Sequence, residues 1–189
     1  MEDKGPTFEP LKTNNLTFRE VNKNDKYDIY SLYSDPNVLR FDKSEPLKEM
    51  TEAEELINSF QQANRGYHSI SWGIELNASK KIIGTCGFRN WDRLSHHAEI
   101  GGNFSSKHWG RGYGTETIKF LMEYGFYKMY LNKIYAYTNV NNSNVVKLMD
   151  KHGFQQEGRL LEHHYLDGEF NDVFLLSLLK KNYNSLRKL

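Results

Sequence analysis

A glycine-rich segment, KHWGRGYGTE at residues 107–116, stands directly before a strongly amphipathic helix pattern. The first backbone N–H groups of a helix have no partner inside the helix, and the helix dipole makes that end positive. Glycines ahead of the helix let the chain curl, so that several N–H groups converge on one phosphate-sized anion. The spacing of Gly110, Gly112 and Gly114 fits neither a Walker A loop nor the GxGxxG pattern. Alone, the segment therefore predicts either an anion cradle or a plain tight turn.

The surrounding pattern predicts alternating strands and helices in one α/β (α+β) domain over residues 1–189. The apolar stripe of the glycine-led helix consists of Ile118, Leu121, Met122, Gly125, Phe126 and Met129. Because a helix connects them, the strands on either side of it should be parallel. Seven strands are expected, at 16–21, 68–76, 82–88, 96–104, 132–140 and in a final hairpin that turns at Asp167 and Gly168. Four helices are expected, at 27–33, about 51–63, after Gly114 and after Asn142.

Composition narrows the class of protein. With 38% hydrophobic and 26% charged residues, the 189-residue chain has the make-up of a globular protein. Its net charge of +1 and its scattered basic residues predict no nucleic-acid partner. We expect no membrane partner, because no apolar run approaches a bilayer span and the first residues lack the apolar core of a signal peptide. The single Cys86 is expected to be a buried small hydrophobe and suits a cytoplasmic location.

Four motifs, in order, resemble those of the GCN5-related N-acetyltransferase (GNAT) superfamily, and within it the ribosomal-protein N-terminal (RimJ/RimL-like) acetyltransferase branch. WGRGYGTE is similar to the acyl-CoA signature Gln/Arg-x-x-Gly-x-Gly/Ala, with Gly112 and Gly114 at the fixed glycine positions and Trp109 departing from Gln/Arg. AEIGGNF resembles the preceding strand, NNSNVVKLMDKHGF the Asn-led helix, and FQQEGRLLEHHYLDGEFNDVFLLSLL the closing hairpin. Together the motifs favour the cradle over the plain turn.

The resemblance implies a fold, a cosubstrate and a set of binding residues. The fold would be a central mixed, mostly antiparallel sheet of six to seven strands, splayed between its fourth and fifth strands and flanked by about four helices. The cosubstrate would be acetyl-CoA, with its diphosphate on the glycine-loop amides and its pantetheine arm along the opened edge of the fourth strand. The implied cofactor-binding residues are Asn103, Phe104, Ser105, Gly110, Arg111, Gly112, Tyr113, Gly114, Thr115 and Asn142. A solvated side chain explains Arg111 equally well, and Asn142 also suits a helix cap.

Glu99 is the candidate catalytic base. It lies on the fourth expected strand, where the resemblance places a base Glu in other branches of the family. Its sequence neighbours are apolar, so partial desolvation would favour proton uptake, either directly from the amine or through a water molecule. An ion pair or a position on the strand surface is the alternative role.

The general acid has no obvious candidate on the Asn-led helix. Many relatives protonate the leaving thiolate with a tyrosine there, but seven residues after Asn142 this chain has Met149. Water or a nearby tyrosine such as Tyr165 is the expected substitute. The adjacent histidines at 96–97 and 163–164 point to opposite strand faces and lack metal-ligand spacing, so no metal is expected.

Three functions fit these motifs. The first is acetylation of a protein or peptide N-terminal α-amine, the second is acetylation of a small amine such as a polyamine, aminoglycoside or amino acid, and the third is non-catalytic acyl-CoA sensing. The resemblance favours the first. Only scattered carboxylates, such as Asp92, Glu162 and Asp167, are available to line a polyamine pocket. A homodimer is compatible with the resemblance.

Overall fold

An eight-stranded sheet is the framework of the structure, a computed structural model that describes residues 9–66, 69–166 and 168–187. The strands are β1 (Leu11–Lys12), β2 (Leu16–Arg19), β3 (Ile70–Leu76), β4 (Ile82–Asp92), β5 (His97–Phe104), β6 (Lys133–Asn139), β7 (Gln155–Leu166) and β8 (Glu169–Leu179). The helices of the described ranges are α1 (Lys26–Tyr33), α2 (Pro36–Leu39), α3 (Met50–Arg65), α4 (Tyr113–Tyr127), α5 (Ser143–Lys151) and α6 (Lys180–Leu186).

The strand order is β1-β2-β3-β4-β5-β6-β8-β7, and all neighbouring pairs except β5–β6 are antiparallel. β5 and β6 are parallel, as predicted, because α4 crosses between them. β7 and β8 form the long closing hairpin. Gly168 in its turn has a φ of +84°, a left-handed conformation that glycine adopts without strain, while Asp167 lies outside the described residues.

β5 and β6 diverge soon after they meet. Their register covers three residue pairs and ends where Glu99 faces Tyr135. β5 continues to Phe104 beside β4, and β6 continues to Asn139 beside β8. A gap therefore opens between the two strands beyond Glu99, which confirms the expected splay.

The two faces of the sheet pack against different helices. Ala98 and Ile100 of β5 are buried in the same cluster as Leu121 and Phe126 of α4. Because successive strand residues alternate between faces, Glu99 points to the opposite side of the sheet. Helices α1 and α3 cover part of that side with a second apolar cluster.

The structure has more elements than the seven strands and four helices expected. The two-residue β1 is the eighth strand, and the short helices α2 and α6 were not predicted. At four residues, α2 is too short for a periodic pattern to reveal it; Asp35 caps it by accepting from the N–H of Asn37, and Pro36 occupies its first turn. β3 begins at Ile70, and His68, where we expected that strand to begin, lies outside the described residues.

Candidate active site

The edge of β5 that faces the gap carries a defined set of backbone groups. The N–H of Ser105 donates to the carbonyl of Ile83 at 2.9 Å, so it points towards β4. In an antiparallel pair this direction alternates along the strand, so the N–H of Asn103 also points towards β4. The N–H groups of Gly102 and Phe104 point the other way, into the gap. Gly102 is exposed there.

This orientation corrects the predicted set of free amides. We expected unpaired amides near Asn103, Phe104 and Ser105, but the N–H of Ser105 is already bonded and that of Asn103 faces β4. Of these three residues, only Phe104 presents its amide to the gap. The amide of Gly102 also faces the gap, and the sequence did not predict it. Strand alternation could have identified Gly102, had the partner strand of each edge been known. Asn103 instead uses its side chain, which donates to Oδ2 of Asp42 at 3.1 Å.

The glycine loop leads from the end of β5 into α4. Gly110 and Gly112 have φ values of +73° and +84°, and nothing lies within 4 Å of the position where a Cβ would be on either. Both need the left-handed conformation that glycine allows. The first helical hydrogen bond is from the N–H of Glu116 to the carbonyl of Gly112, at 3.1 Å. The N–H groups of residues 113–115 precede it and have no helical acceptor, and Gly112 supplies no side-chain cap.

The charge around this loop is positive. Burial lowers the pKa of His108, and the charges of Arg111 and Lys107 lower it further. Arg111 is exposed beside the free amides of the helix start. A loop with free N–H groups, a helix dipole and two cations suits an anion such as a diphosphate.

Trp109 and Ser106 fix the loop to the rest of the molecule. The indole N–H of Trp109 donates to the carbonyl of Phe104 at 2.9 Å, which ties the loop to the opened edge of β5. Ser106 Oγ donates to Oδ2 of Asp35 at 2.5 Å, which ties it to the start of α2. The departure at Trp109 from the usual Gln/Arg therefore has a structural role that the sequence motif did not reveal.

Glu99 lies at the closed end of the gap. Its side chain is buried, with 4% exposed, and Oε1 accepts from Nε of Arg89 at 2.8 Å and from Nη2 at 2.5 Å. Oε2 accepts from Nδ2 of Asn90 at 2.8 Å. Asn90 has a φ of +51° in an irregular stretch of β4, which turns its amide towards the carboxylate. The ion pair that was the alternative role for Glu99 is thus present, and one lone pair of Oε2 has no protein donor among the described residues.

The tyrosines of β6 are the aromatic hydroxyls nearest to Glu99 in the sheet register. Tyr135 pairs directly with Glu99, and burial raises its pKa, as does the charge of Glu99. Tyr165 lies at the far end of the closing hairpin, 60% exposed and packed on Phe170. Met149 is buried in the core, so α5 offers no proton donor at this position. Sequence reasoning missed Tyr135 because only the parallel register places it beside Glu99.

Asn142 caps α5, as its second predicted role requires. Its side-chain oxygen accepts from the N–H of Val145. The amide nitrogen of Asn142 has no partner among the described residues. α5 packs against the glycine loop, since a Cβ on Gly114 would lie 3.3 Å from Cδ2 of Leu148.

The remaining predictions concern Cys86, metal binding and membrane-spanning helices. Cys86 is buried, and burial raises the pKa of its thiol. Across residues 9–66, 69–166 and 168–187, no group of three or more His, Cys, Asp or Glu side chains is arranged to hold a metal ion. None of the helices in those ranges combines the length and apolar character that crossing a membrane requires.

Comparisons with known proteins agree with this geometry. Residues 15–155 match the family model described as Acetyltransferase (GNAT) domain. "Uncharacterized N-acetyltransferase p20" of Bacillus licheniformis is 31% identical over 176 residues, covering 93% of this chain and 99% of that protein. The spermidine N(1)-acetyltransferase of Vibrio cholerae serotype O1 is 28% identical over 168 residues, covering 89% and 95%. The crystal structure of spermidine N-acetyltransferase from Vibrio cholerae in complex with CoA and spermine has a TM-score of 0.80 and 26% identity, covering 91% of this chain and 99% of that one.

These matches extend over most of the chain and connect its fold with N-acetyl transfer. The N-acetyltransferase names among the relatives support an enzyme over a non-catalytic sensor. The match to a solved acetyltransferase confirms the expected fold class. The chain belongs to the GNAT acetyltransferase family and is an N-acetyltransferase whose acetyl donor is acetyl-CoA.

Proposed function

We propose that the protein transfers acetyl directly from acetyl-CoA to a primary amine in a ternary complex, and that the amine is a protein or peptide N-terminal α-amine. The observation that carries this proposal is the gap between β5 and β6, which runs from Glu99 at its closed end to the glycine loop at its open end. Such a gap provides one strand edge for the acetyl donor and a carboxylate where the two substrates would meet.

The residues around the gap have the chemistry to hold acetyl-CoA. The free amides of Tyr113, Gly114 and Thr115 suit the diphosphate, together with the curled backbone from Gly110 to Gly112 and the charge of Arg111.

Further along the gap, the amides of Gly102 and Phe104 suit the pantetheine arm as an added strand. One of them would also donate to the thioester oxygen as negative charge develops there. Asn142 offers its free side-chain amide from the other side of the loop.

Glu99 is the proposed base, directly or through a water molecule bound to the open lone pair of Oε2. Deprotonating a lysine-type amine at pH 7 costs about 4.6 kcal/mol, and an α-amine about 1.4 kcal/mol. One modest base is therefore sufficient for an α-amine. Arg89 and Asn90 act as positioning residues, because their hydrogen bonds fix the orientation of the carboxylate.

For the departing thiolate, water or a tyrosine remains the proposed proton source, and CoA thiolate leaves tolerably well at neutral pH. Tyr165 is the residue that the sequence suggests, and the structure adds Tyr135, which faces Glu99 across the three-pair register. A cytoplasmic location, a homodimer and the RimJ/RimL-like branch are part of the same proposal.

A small-molecule amine is the second candidate acceptor. The observation that favours it is the similarity to spermidine acetyltransferases of Vibrio cholerae, in sequence and in fold. The identity to those enzymes is 28% in the sequence comparison and 26% in the structural one.

The test is a comparison of kcat/KM by free-CoA release. Short peptides with free Ser, Ala or Thr ends are compared with the same peptides blocked at the α-amine, with spermidine and with an aminoglycoside. We expect the free peptides to be acetylated at the α-amine. Efficient acetylation of spermidine with peptides at background would show that the acceptor assignment is wrong while leaving the acetyltransferase assignment intact.

A further inference from the structure

The side of the sheet that carries Glu99 has a surface that the cofactor site does not use. We call it the acceptor face and define it by Arg89, Glu99 and Asn103 of the sheet with Asp42 and Lys43 of the loop after α2. The hydrogen bond from Asn103 Nδ2 to Asp42 Oδ2, at 3.1 Å, holds this loop over β5.

The carboxylates of the acceptor face already have donors on both oxygens. Asp42 Oδ1 accepts from the N–H of Ser44 at 3.0 Å, and its Oδ2 accepts from Asn103. Glu99 accepts from Arg89 on one oxygen and from Asn90 on the other. An approaching polycation would therefore find no carboxylate here without an existing partner.

The cations of the acceptor face, in contrast, have nitrogen atoms without acceptors among the described residues. The Arg89 side chain is 62% exposed and, within the described residues, its Nη1 donates to no acceptor. The guanidinium of Arg89 lies over Gly101, and a Cβ on Gly101 would lie 3.7 Å from its Cζ. Because glycine has no side chain, residue 101 does not cover the guanidinium. Lys43 is exposed and makes no hydrogen bond or ion pair with any described residue.

His164 lies within electrostatic reach of the charged groups of the acceptor face. A bulge in β7 brings His163 and His164 towards β6, where the ring of His163 lies 5.6 Å from that of Tyr137. Burial lowers the pKa of His164, and Lys43 adds the next largest lowering effect, before His163 and Arg89, while Glu99 raises it. The Nδ1 atom of His164 is buried and makes no hydrogen bond within the part of the chain that the structure describes. Lys43 and Arg89 therefore lie, together with Glu99, among the charged groups around this point of the cleft.

We infer that the acceptor carries a carboxylate close to its reactive amine, and that the preferred acceptor is a peptide with an acidic residue next to its free N-terminus rather than a polyamine. This inference rests on the proposed function. Lys43 and the Nη1 group of Arg89 would bind the carboxylate, while Glu99 would accept the proton of the amine. The α-carboxylate of a free amino acid offers the same chemistry, so free aspartate and glutamate form a separate arm of the test.

The experiment compares kcat/KM for peptides that differ only at the second residue, Ser-Asp, Ser-Asn and Ser-Lys, together with spermidine and free aspartate and glutamate. The variant is Lys43→Glu, and the matched control is Lys48→Glu, an exposed lysine of the same loop paired only with exposed Glu45. For the Ser-Asp peptide, Lys43→Glu should raise KM about tenfold with little change in kcat, whereas the Ser-Asn peptide should change less than about twofold. Lys48→Glu should behave as wild type.

Peptide preference in the order Asp, Asn, Lys, reversed by Lys43→Glu, would support the inference. Equal use of the three peptides, preference for spermidine, or the same response to both lysine variants would overturn it while acetyl transfer itself is still observed. Preference for the free amino acids over all peptides would overturn the peptide assignment. Failure to acetylate any amine despite acetyl-CoA binding would instead overturn the proposed function, and the inference with it.

Discussion

The two sides of the active site are built in different ways. The proposed cofactor side consists mainly of backbone amides supplied by one contiguous stretch, from Gly102 through the loop to Thr115, with the side chains of Arg111 and Asn142 added. The acceptor face consists of side chains from β4, β5 and the loop after α2, which only the folded sheet brings together. Backbone sites tolerate changes of side chain as long as the chain can still curl, whereas side-chain sites can be retuned one residue at a time. One side should therefore be sensitive to bulk and the other to charge.

The strongest test of this contrast is bulk in the cradle. Gly114→Val places a branched side chain at the helix start, where a Cβ would already lie 3.3 Å from Cδ2 of Leu148, so the first turn of α4 and its free amides must shift. We expect acetyl-CoA binding measured by calorimetry to fall more than about 100-fold. Gly158→Val is the control, because that glycine has open space and no left-handed backbone. Unchanged affinity in Gly114→Val would contradict the cradle.

Charge should matter most at Glu99. Glu99→Gln keeps the shape and removes the basicity, so kcat at neutral pH should fall about 10²–10⁴-fold while acetyl-CoA affinity stays near wild type. The loss should shrink at alkaline pH, where the amine is already neutral. Glu55→Gln on exposed α3 is the control. A pH profile of the variant that coincides with wild type would assign Glu99 to the ion pair alone.

Trp109 tests whether the cradle depends on its attachment to β5. Trp109→Phe removes the hydrogen bond to Phe104 but keeps the backbone, so acetyl-CoA should bind about three- to tenfold more weakly, with acceptor preference unchanged. Tyr127→Phe, which removes a hydrogen bond to Asn184 at the other end of α4, serves as the control. A change in acceptor preference rather than in cofactor affinity would contradict the separation of roles between the cofactor side and the acceptor face.

The smallest expected effect concerns stability and pH. Glu116 of α4 accepts from Thr13 and from both nitrogens of Asn15, which ties the helix to the turn before β2. Burial alone would raise the pKa of Glu116, but these hydrogen bonds hold it below its usual range. The ionised carboxylate therefore stabilises the fold fully above its unfolded-state pKa, and this contribution is lost as pH falls through the folded value.

Glu116→Gln should accordingly lower the free energy of unfolding by about 1 kcal/mol at neutral pH, after allowance for partial exposure. Its difference from wild type should narrow in acid. Glu123→Gln, at an exposed position on the same helix, should change little. Denaturant unfolding at several pH values measures both, and a constant difference at all pH values would contradict the account.

Sequence reasoning reached the cofactor side more fully than the acceptor face. The glycine spacing and the helix behind it are local patterns, so the loop, α4 and the parallel crossover could be predicted from adjacent residues. The direction of each β5 amide could not, because it depends on how β4 pairs with β5; this is why Ser105 was wrongly expected to be free and Gly102 was missed. The individual roles of Arg89, Lys43 and Tyr135 could not be assigned from the sequence, since they depend on contacts between distant segments.

The short register between β5 and β6 has a mechanical consequence. Backbone hydrogen bonds link β1–β5 to β6–β8 over only three residue pairs, so continuity between these parts of the sheet depends largely on the side chains of α4 packed beneath both. α4 therefore holds the two parts of the sheet together, and its first turn is also where an anion would bind. Acetyl-CoA bound across the gap would reduce motion between β5 and β6, where strand pairing is short. Amide hydrogen exchange in β6 and β8, far from the glycine loop, should therefore slow when the cofactor binds.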